Sequence, residues 1–465
     1  MTSHRQPVRP ESSGRFTAEL AEHEIEVRSR PGFADWDTVT PAMQLVAERT
    51  TIPAGGETLF WGVGHAAAAA ALLLRQPNAR ASVMVTNLVA RDVTEATTVR
   101  NGVAERVTVL NYPREQPEPN SFDLVVILPT PDRDLNRRWL LESMAALRPG
   151  GQMVLAGPNG GGIRTTIADA ASLLGAPRDE ISRMKQRLAV FPLRDVRPEA
   201  PAWAMAAGIA PGTWSNYPVT IGGRDLALAS MPGVFSGDGL DVGTALLLTN
   251  LPELTGKRVL DLGCGSGVIG IAAALANAAS VTMTDVDLLA VAAARENIAR
   301  TGLRNVSAVA SDLYSAIHAQ RFDVILCNPP FHAGQRIDRD IADAIVRQAP
   351  AVLDDGGQIV LVANRFLAYD RALRETFGEV QRVAETERYH VLGAVRPARV
   401  EPDEVAPASE EAADAGHPLV NAELRRRFPI IGGGEADEEP ARPARPAVRR
   451  RSSRSIRRGP GRNRK

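Results

Sequence analysis

The sequence predicts an α/β chain of two tandem domains, each a mostly parallel sheet flanked by helices, followed by a long polar tail. Three observations carry this. From about Asp37, short β-branched runs alternate with helical stretches rich in Ala, Leu and Arg, as βαβ units do. That layout occurs twice along the chain. In the second copy a glycine-rich turn, Gly263-Cys264-Gly265-Ser266-Gly267, stands where an expected strand meets an expected helix.

The two copies align by eye. Ala81 to Asn87 (ASVMVTN) reads against Ala279 to Asp285 (ASVTMTD), Phe122-Asp123-Leu124-Val125-Val126 against Phe322-Asp323-Val324-Ile325-Leu326, and Gly150-Gly151-Gln152 against Gly356-Gly357-Gln358. Three matches in the same order indicate duplication. The copies part where chemistry would sit: Asp261 faces Phe60, Gly267 faces Ala66, Asp285 faces Asn87, and Asn328-Pro329-Pro330-Phe331 faces Leu128-Pro129-Thr130-Pro131. The first copy has kept its strands and lost the site, so it is expected to serve packing or substrate binding.

Boundaries follow from composition. Residues 1–36 hold Pro, Ser, Arg and Glu without a clear period and are expected as a flexible lead-in. The degenerate lobe spans 37–215, ending in a linker rich in Pro, Ala, Gly and Trp over 192–216, and the second lobe spans 216–397. In that lobe strands are expected over 257–263, 280–285, 306–310, 322–327 and 357–363, with a closing pair over 380–386 and 389–396. Residues 398–465, acidic and then Arg-rich, bury too little to fold alone and are expected to be disordered.

The chain has 465 residues, 44% of them hydrophobic, enough for two real cores. Its formal net charge of zero conceals a tail whose last 24 residues, from Arg442, carry only positive charge. That end fits phosphate contacts, although lysine is rare throughout and arginine abundant. The two cysteines, Cys264 and Cys327, each lie inside a motif and read as small strand-end residues, which implies a reducing compartment. Met1 to Pro10 contains no apolar segment, and no apolar run approaches the length of a membrane span. A cytoplasmic protein without membrane association is the expectation.

In the glycine turn the absence of side chains lets backbone approach a ligand at a helix N-terminus. Such a turn, made of Gly263, Gly265 and Gly267, cradles the methionyl and ribosyl part of S-adenosylmethionine. Asp261, at the strand end, is expected to reach the cofactor's ammonium directly or through water. Asp285, closing the second strand, is expected to accept from the ribose hydroxyls, and Asp312, closing the third, from the adenine amine. Gly265 to Gly270 is also a literal GxGxxG with Asp285 and Asp287 about 20 residues on, as in dinucleotide sites. There, however, apolar residues normally run straight into the first glycine, whereas here Asp261 and Gly263 come earlier.

Asn328-Pro329-Pro330-Phe331 follows the fourth strand, which in a doubly wound sheet opens beside the first. An exocyclic amine on an aromatic ring is a poor nucleophile, because its lone pair is delocalised. Accepting its two hydrogens on the Asn328 side-chain oxygen and the Pro329 carbonyl draws the nitrogen towards tetrahedral geometry and aims the lone pair. Pro330 stiffens the loop and Phe331 stacks on the base. Alignment and fixed dipoles then suffice without a metal, since a sulfonium is already a good leaving group. His332 reads as a structural or substrate-contacting residue.

Together these motifs resemble the two-lobe bacterial ribosomal RNA guanine-N2 methyltransferases, whose catalytic half is a "methyltransferase small" domain. The resemblance runs from about Asp37 to Pro397. Its pieces are Pro232-Gly233-Val234-Phe235-Ser236 with Leu240-Asp241-Val242-Gly243-Thr244, then Asp261 to Gly267, Asn328 to His332, and Asn364 with Phe366, Leu367 and Tyr369. It implies two Rossmann-like class I methyltransferase lobes, each with a seven-stranded sheet. The first has lost the cofactor and helps bind RNA; the second binds S-adenosylmethionine. By the same resemblance Phe235 covers the cofactor or the base. The expected activity is methylation of a guanine N2 amine in ribosomal RNA, of the small subunit, by a monomer or weak homo-oligomer. N6-adenine or protein glutamine methylation shares this geometry, and an RNA-binding module with vestigial activity is the alternative outside enzymes.

Overall fold

A computed structural model of the chain describes residues 14–329, 336–367 and 369–398. The expected tail over 398–465 therefore lies almost wholly outside the described residues, as do the first 13 residues of the lead-in.

The amino-terminal lobe runs β1 (Arg15–Leu20), β2 (His23–Arg28), α1 (Pro41–Arg49), β3 (Glu57–Trp61), α2 (Ala67–Arg75), β4 (Arg80–Val85) and α3 (Leu88–Arg100). It continues with β5 (Val107–Asn111), β6 (Phe122–Ile127), α4 (Arg133–Ala146), β7 (Leu147–Pro158), α5 (Ile163–Leu174), β8 (Asp179–Arg183) and β9 (Gln186–Pro192). The second lobe repeats this with β10 (Ser215–Ile221), β11 (Arg224–Ser230), α6 (Val242–Leu248), β12 (Arg258–Leu262), α7 (Val268–Leu275), β13 (Ser280–Asp285) and α8 (Leu288–Thr301). Then follow β14 (Val306–Ala310), β15 (Phe322–Cys327), α9 (Arg336–Gln348), β16 (Leu353–Asn364), α10 (Tyr369–Phe377), β17 (Gln381–Glu385) and β18 (Tyr389–Val395).

Each lobe holds a seven-stranded sheet, in the orders β5-β4-β3-β6-β7-β9-β8 and β14-β13-β12-β15-β16-β18-β17. In each sheet six strands run parallel and one, β9 or β18, runs antiparallel between its two neighbours. This is the Rossmann-like class I methyltransferase arrangement expected from the sequence, and the closing hairpin falls where it is expected. The order reverses between β13-β12 and β15, so the ends of β12 and β15 open on one crevice.

One expectation fails. The lead-in over 1–36 is not featureless: β1 and β2 form an antiparallel hairpin in perfect two-residue alternation. Phe16, Leu20, Ile25 and Val27 face inwards and join the core formed with α1 and α2, while Thr and Glu side chains between them face out. The hairpin β10–β11 occupies the same place in the second lobe. The duplication thus includes the hairpins.

The register of the repeat is also corrected. Matching TN to TD pairs Asn87 with Asp285, but the ladders set Phe60 beside Val83 and Asp261 beside Met283. Asn87 therefore corresponds to Asp287, and both are the N-caps of equivalent helices, α3 and α8. These two caps meet across the lobes. Leu88 N donates to Val286 O at 2.9 Å and Leu288 N donates to Thr86 O at 2.8 Å, a reciprocal antiparallel bridge. Leu289, Ala290 and Ala293 of α8 share one apolar cluster with Trp61, Leu135 and Trp139 of the first lobe. The lobes are joined by core packing and not by a linker alone. No helix among the described residues is long and apolar enough to cross a membrane.

Candidate active site

β12 ends in a turn that only glycine adopts easily: Gly263, Gly265 and Gly267 have φ of 75°, 53° and 87°. The turn is held from below. Gly263 N and Cys264 N both donate to Thr284 O at 2.8 and 3.0 Å, and Gly265 N donates to the Asp285 carboxylate at 2.9 Å. Tyr217 of β10 hydrogen-bonds the Ser266 hydroxyl at 2.6 Å, so the hairpin of this lobe braces the same turn. Above Gly263 and Gly265 a Cβ would meet nothing within 4 Å, whereas at Gly267 it would press on Met283 and Ala294. The first two glycines face an open cradle, and the third is a packing glycine.

That cradle is lined by Phe235, Leu240, Asp241, Thr244, Gly263, Gly265, Ser266 and Asn328 among others. Phe235 stands at its edge, 63% exposed. The segment carrying it is held by the other lobe: Asp132, N-cap of α4, spends one oxygen on its own helix and accepts from Gly233 N at 2.8 Å with the other. Of the remaining expected residues, Asp261, Gly267, Asp285 and Asp312 lie outside the lining.

Asp261 is fully buried, and its Oδ2 accepts from Gly270 N at 2.8 Å while Oδ1 has no partner. Burial raises its carboxyl to about 7, against a backbone hydrogen bond that lowers it and the nearby Asp285 charge that raises it. Asp287 is likewise raised to about 7 by burial and by Asp285. Asp285 accepts from Gly265 N and Asp287 N, one on each oxygen, and burial raises it also. Each oxygen keeps a second lone pair. Asp312 is paired with Arg30, a residue just after β2 that also reaches Asp92 at 3.4 Å. Burial pushes the Cys264 and Cys327 thiols well above their usual range, which keeps them protonated and inert.

The raised carboxyls set a pH dependence. With ordinary values near 3.8 in the unfolded chain and about 7 in the folded one, Asp261 and Asp287 hold protons on folding between those limits. Their contribution to stability is therefore greatest at the acid end of that window and is lost as pH rises through 7. Asp261→Asn removes one of these titrations and keeps an acceptor for Gly270 N. Without ligand its melting temperature is expected to gain on that of the native protein between about pH 5 and about pH 8; parallel melting curves at both values would refute the assignment.

Asn328 follows β15 and projects into the cradle. Its Nδ2 donates to Asp241 Oδ2 at 3.1 Å and to Thr244 Oγ1 at 2.7 Å, and its Oδ1 is buried without a partner. Pro329 is buried beside it. Pro330, Phe331 and His332 lie outside the described residues. Tyr217, Asp132 and Arg30 are parts of the site that the sequence does not single out. Asp241 and Thr244 stand in the sequence only within the Leu240-to-Thr244 piece of the family resemblance, with no role of their own.

The first lobe shows the same turn closed. At Gly62 an added Cβ would lie 2.1 Å from Leu128 O, and at Gly64 3.0 Å from the Phe33 ring. Asn87 donates to Gly32 O at 3.0 Å, fixing the segment that carries Phe33. The backbone after β6 and an aromatic side chain fill what is open in the second lobe.

The methyltransferase small domain matches residues 225–393, the lobe with the open cradle. Ribosomal RNA small subunit methyltransferase C of Chromohalobacter salexigens is 37% identical over 274 residues, which is 57% of this chain and 76% of that protein. The chain belongs to the ribosomal RNA small subunit methyltransferase C family. The family member from Cronobacter sakazakii is 42% identical over 187 residues, 40% of this chain, and the match spans about half of that protein, 53%. Among solved structures, a family member described as the T. thermophilus 16S rRNA N2 G1207 methyltransferase in complex with AdoMet and guanosine is 26% identical. It has a TM-score of 0.66 and covers 82% of this chain and 98% of that one.

Proposed function

We propose that this chain transfers a methyl group from S-adenosylmethionine to the exocyclic N2 amine of a guanine in small-subunit ribosomal RNA. The observation that carries the reading is the side chain of Asn328, a residue of the cradle wall, whose amide nitrogen is anchored while its oxygen is buried without a donor. A buried acceptor without a partner is costly unless a ligand supplies the hydrogen. An aromatic amine does so.

The residues fit the cofactor as well. Gly263 and Gly265 present side-chain-free backbone to the open cradle, Asp285 stands behind the turn with free lone pairs, and Phe235 sits at the rim. Asp312, next along the sheet edge, serves the adenine amine in competition with Arg30. The bound cofactor supplies an electrophilic methyl group on a sulfonium. The chain's own part is alignment: Asn328 Oδ1 accepts one amine hydrogen, the Pro329 carbonyl accepts the other, and the nitrogen lone pair is turned to the methyl. The first lobe, its own turn closed, holds the Phe235 segment through Asp132 and contributes to RNA binding. The protein acts in the cytoplasm as a monomer or weak homo-oligomer.

Incubation with labelled S-adenosylmethionine and small-subunit RNA lacking the modification, followed by nucleoside mass analysis, tests this. Label in N2-methylguanosine is the expected result. Label in N6-methyladenosine or in protein glutamine would overturn the substrate, and absence of transfer would overturn the activity.

A further inference from the structure

We infer that Asp241 and Thr244 are positioning residues that hold the Asn328 amide with its oxygen towards the substrate amine, an inference that rests on the function proposed above.

An asparagine amide has two ends of nearly equal size and opposite hydrogen-bonding character. If it turns over, the donor end meets the substrate's N–H groups and the acceptor end is wasted. Asp241 Oδ2 and Thr244 Oγ1 both stand on the nitrogen side of Asn328, at 3.1 and 2.7 Å. A carboxylate only accepts, so it admits the NH2 end and repels the oxygen. The Thr244 hydroxyl completes the set: it accepts from Asn328 and lies 3.5 Å from Asp241 Oδ2, to which it donates. The arrangement is tightly built, since a Cβ on Gly243 would lie 3.0 Å from Asp241 Oδ2 and 3.5 Å from the Tyr389 ring.

Asp241 also caps α6, accepting from Thr244 N at 2.9 Å, which by itself would explain the residue. The first lobe separates the two duties. Its equivalent helix, α1, is capped by Thr40, which accepts from Met43 N at 3.2 Å. So capping is met there by a shorter side chain, the counterpart of Thr244 is Met43, and the counterpart of Asn328 is Leu128. Where the amide is gone, both of its holders are gone and only the cap remains.

The test exploits this difference. Asp241→Ser keeps a good N-cap but is too short to reach Asn328, and Thr244→Val keeps shape but loses the acceptor. Each is expected to lower kcat by about 100-fold, as small misplacements of a catalytic group do. KM for S-adenosylmethionine and the melting temperature should be essentially those of the native protein. Asp241→Asn and Thr244→Ser, which keep an acceptor oxygen at the same reach, should recover most of the rate. In an Asn328→Ala background, where single-turnover rates are followed by label transfer to unmodified small-subunit RNA, Asp241→Ser should cost nothing further. Native kcat in Asp241→Ser, with Asn328→Ala inactive, would overturn the positioning role. Equal losses of rate in both backgrounds, with falling melting temperature, would reduce Asp241 to a helix cap and likewise overturn it. Full activity in Asn328→Ala would instead overturn the reading beneath.

Discussion

Asn328→Ala is expected to lower kcat by about 1,000-fold or more while leaving S-adenosylmethionine affinity within about twofold of native. The side chain touches the cradle only through its amide. Its nitrogen is engaged by Asp241 and Thr244, and its oxygen is buried at the end of β15 without a hydrogen-bond partner. Truncation removes that acceptor and leaves the glycine turn, Asp285 and Phe235 where they are. Titration calorimetry with the cofactor and single-turnover transfer to unmodified small-subunit RNA separate the two effects. Lost cofactor binding would move Asn328 out of the substrate site.

The second large effect comes from paired glycines. Gly263 and Gly62 occupy equivalent positions with nearly the same backbone, φ of 75° and 69°. Alanine at either place meets the same left-handed strain, on the order of 1 kcal/mol. Everything else differs. At Gly263 the new methyl enters open space in the cradle and meets no protein atom within 4 Å, so stability should fall by that strain alone. Cofactor affinity should fall about 100-fold, close to 3 kcal/mol, because the backbone can no longer be approached. At Gly62 the methyl would lie 2.1 Å from Leu128 O, and overpacking adds about 1–3 kcal/mol to the strain. Folded Gly62→Ala should bind cofactor normally. Denaturant unfolding and calorimetry on the two variants decide the matter, and reversed outcomes would mean that the first lobe holds the ligand.

Much of this was readable from residue order, and the failures have physical reasons. The glycine turn, Asn328 and the β17–β18 hairpin announce themselves, because positive φ, a strand end and two-residue alternation each demand particular residues within a short window. The β1–β2 hairpin was hidden in a polar stretch: Phe16 and Leu20 on one strand, and Ile25 and Val27 on the other, alternate with Thr, Glu and Arg too briefly to stand out from a charged lead-in. Asp285 and Asp287 lie two residues apart with different duties, one on the turn and one on a helix, so the residue strings alone pair Asn87 with the wrong one. Asp241 and Arg30 act across 87 and 282 residues of chain, distances over which no local pattern carries information.

The bridge between Asn87 and Asp287 has a further meaning. Each partner gives one amide and takes one, through the same loop, so the contact is isologous: it is what two identical subunits related by a two-fold axis would make. The chain is in this sense a homodimer written as one polypeptide. Covalent fusion frees such a pair from symmetry. In a true dimer, a substitution that closes the turn at Gly62 would close both sites, and catalysis would be lost with it. Here one half was able to seal its site with Phe33 and become a fixed wall for the other, through Asp132 and the shared apolar cluster, at no cost to the remaining active centre.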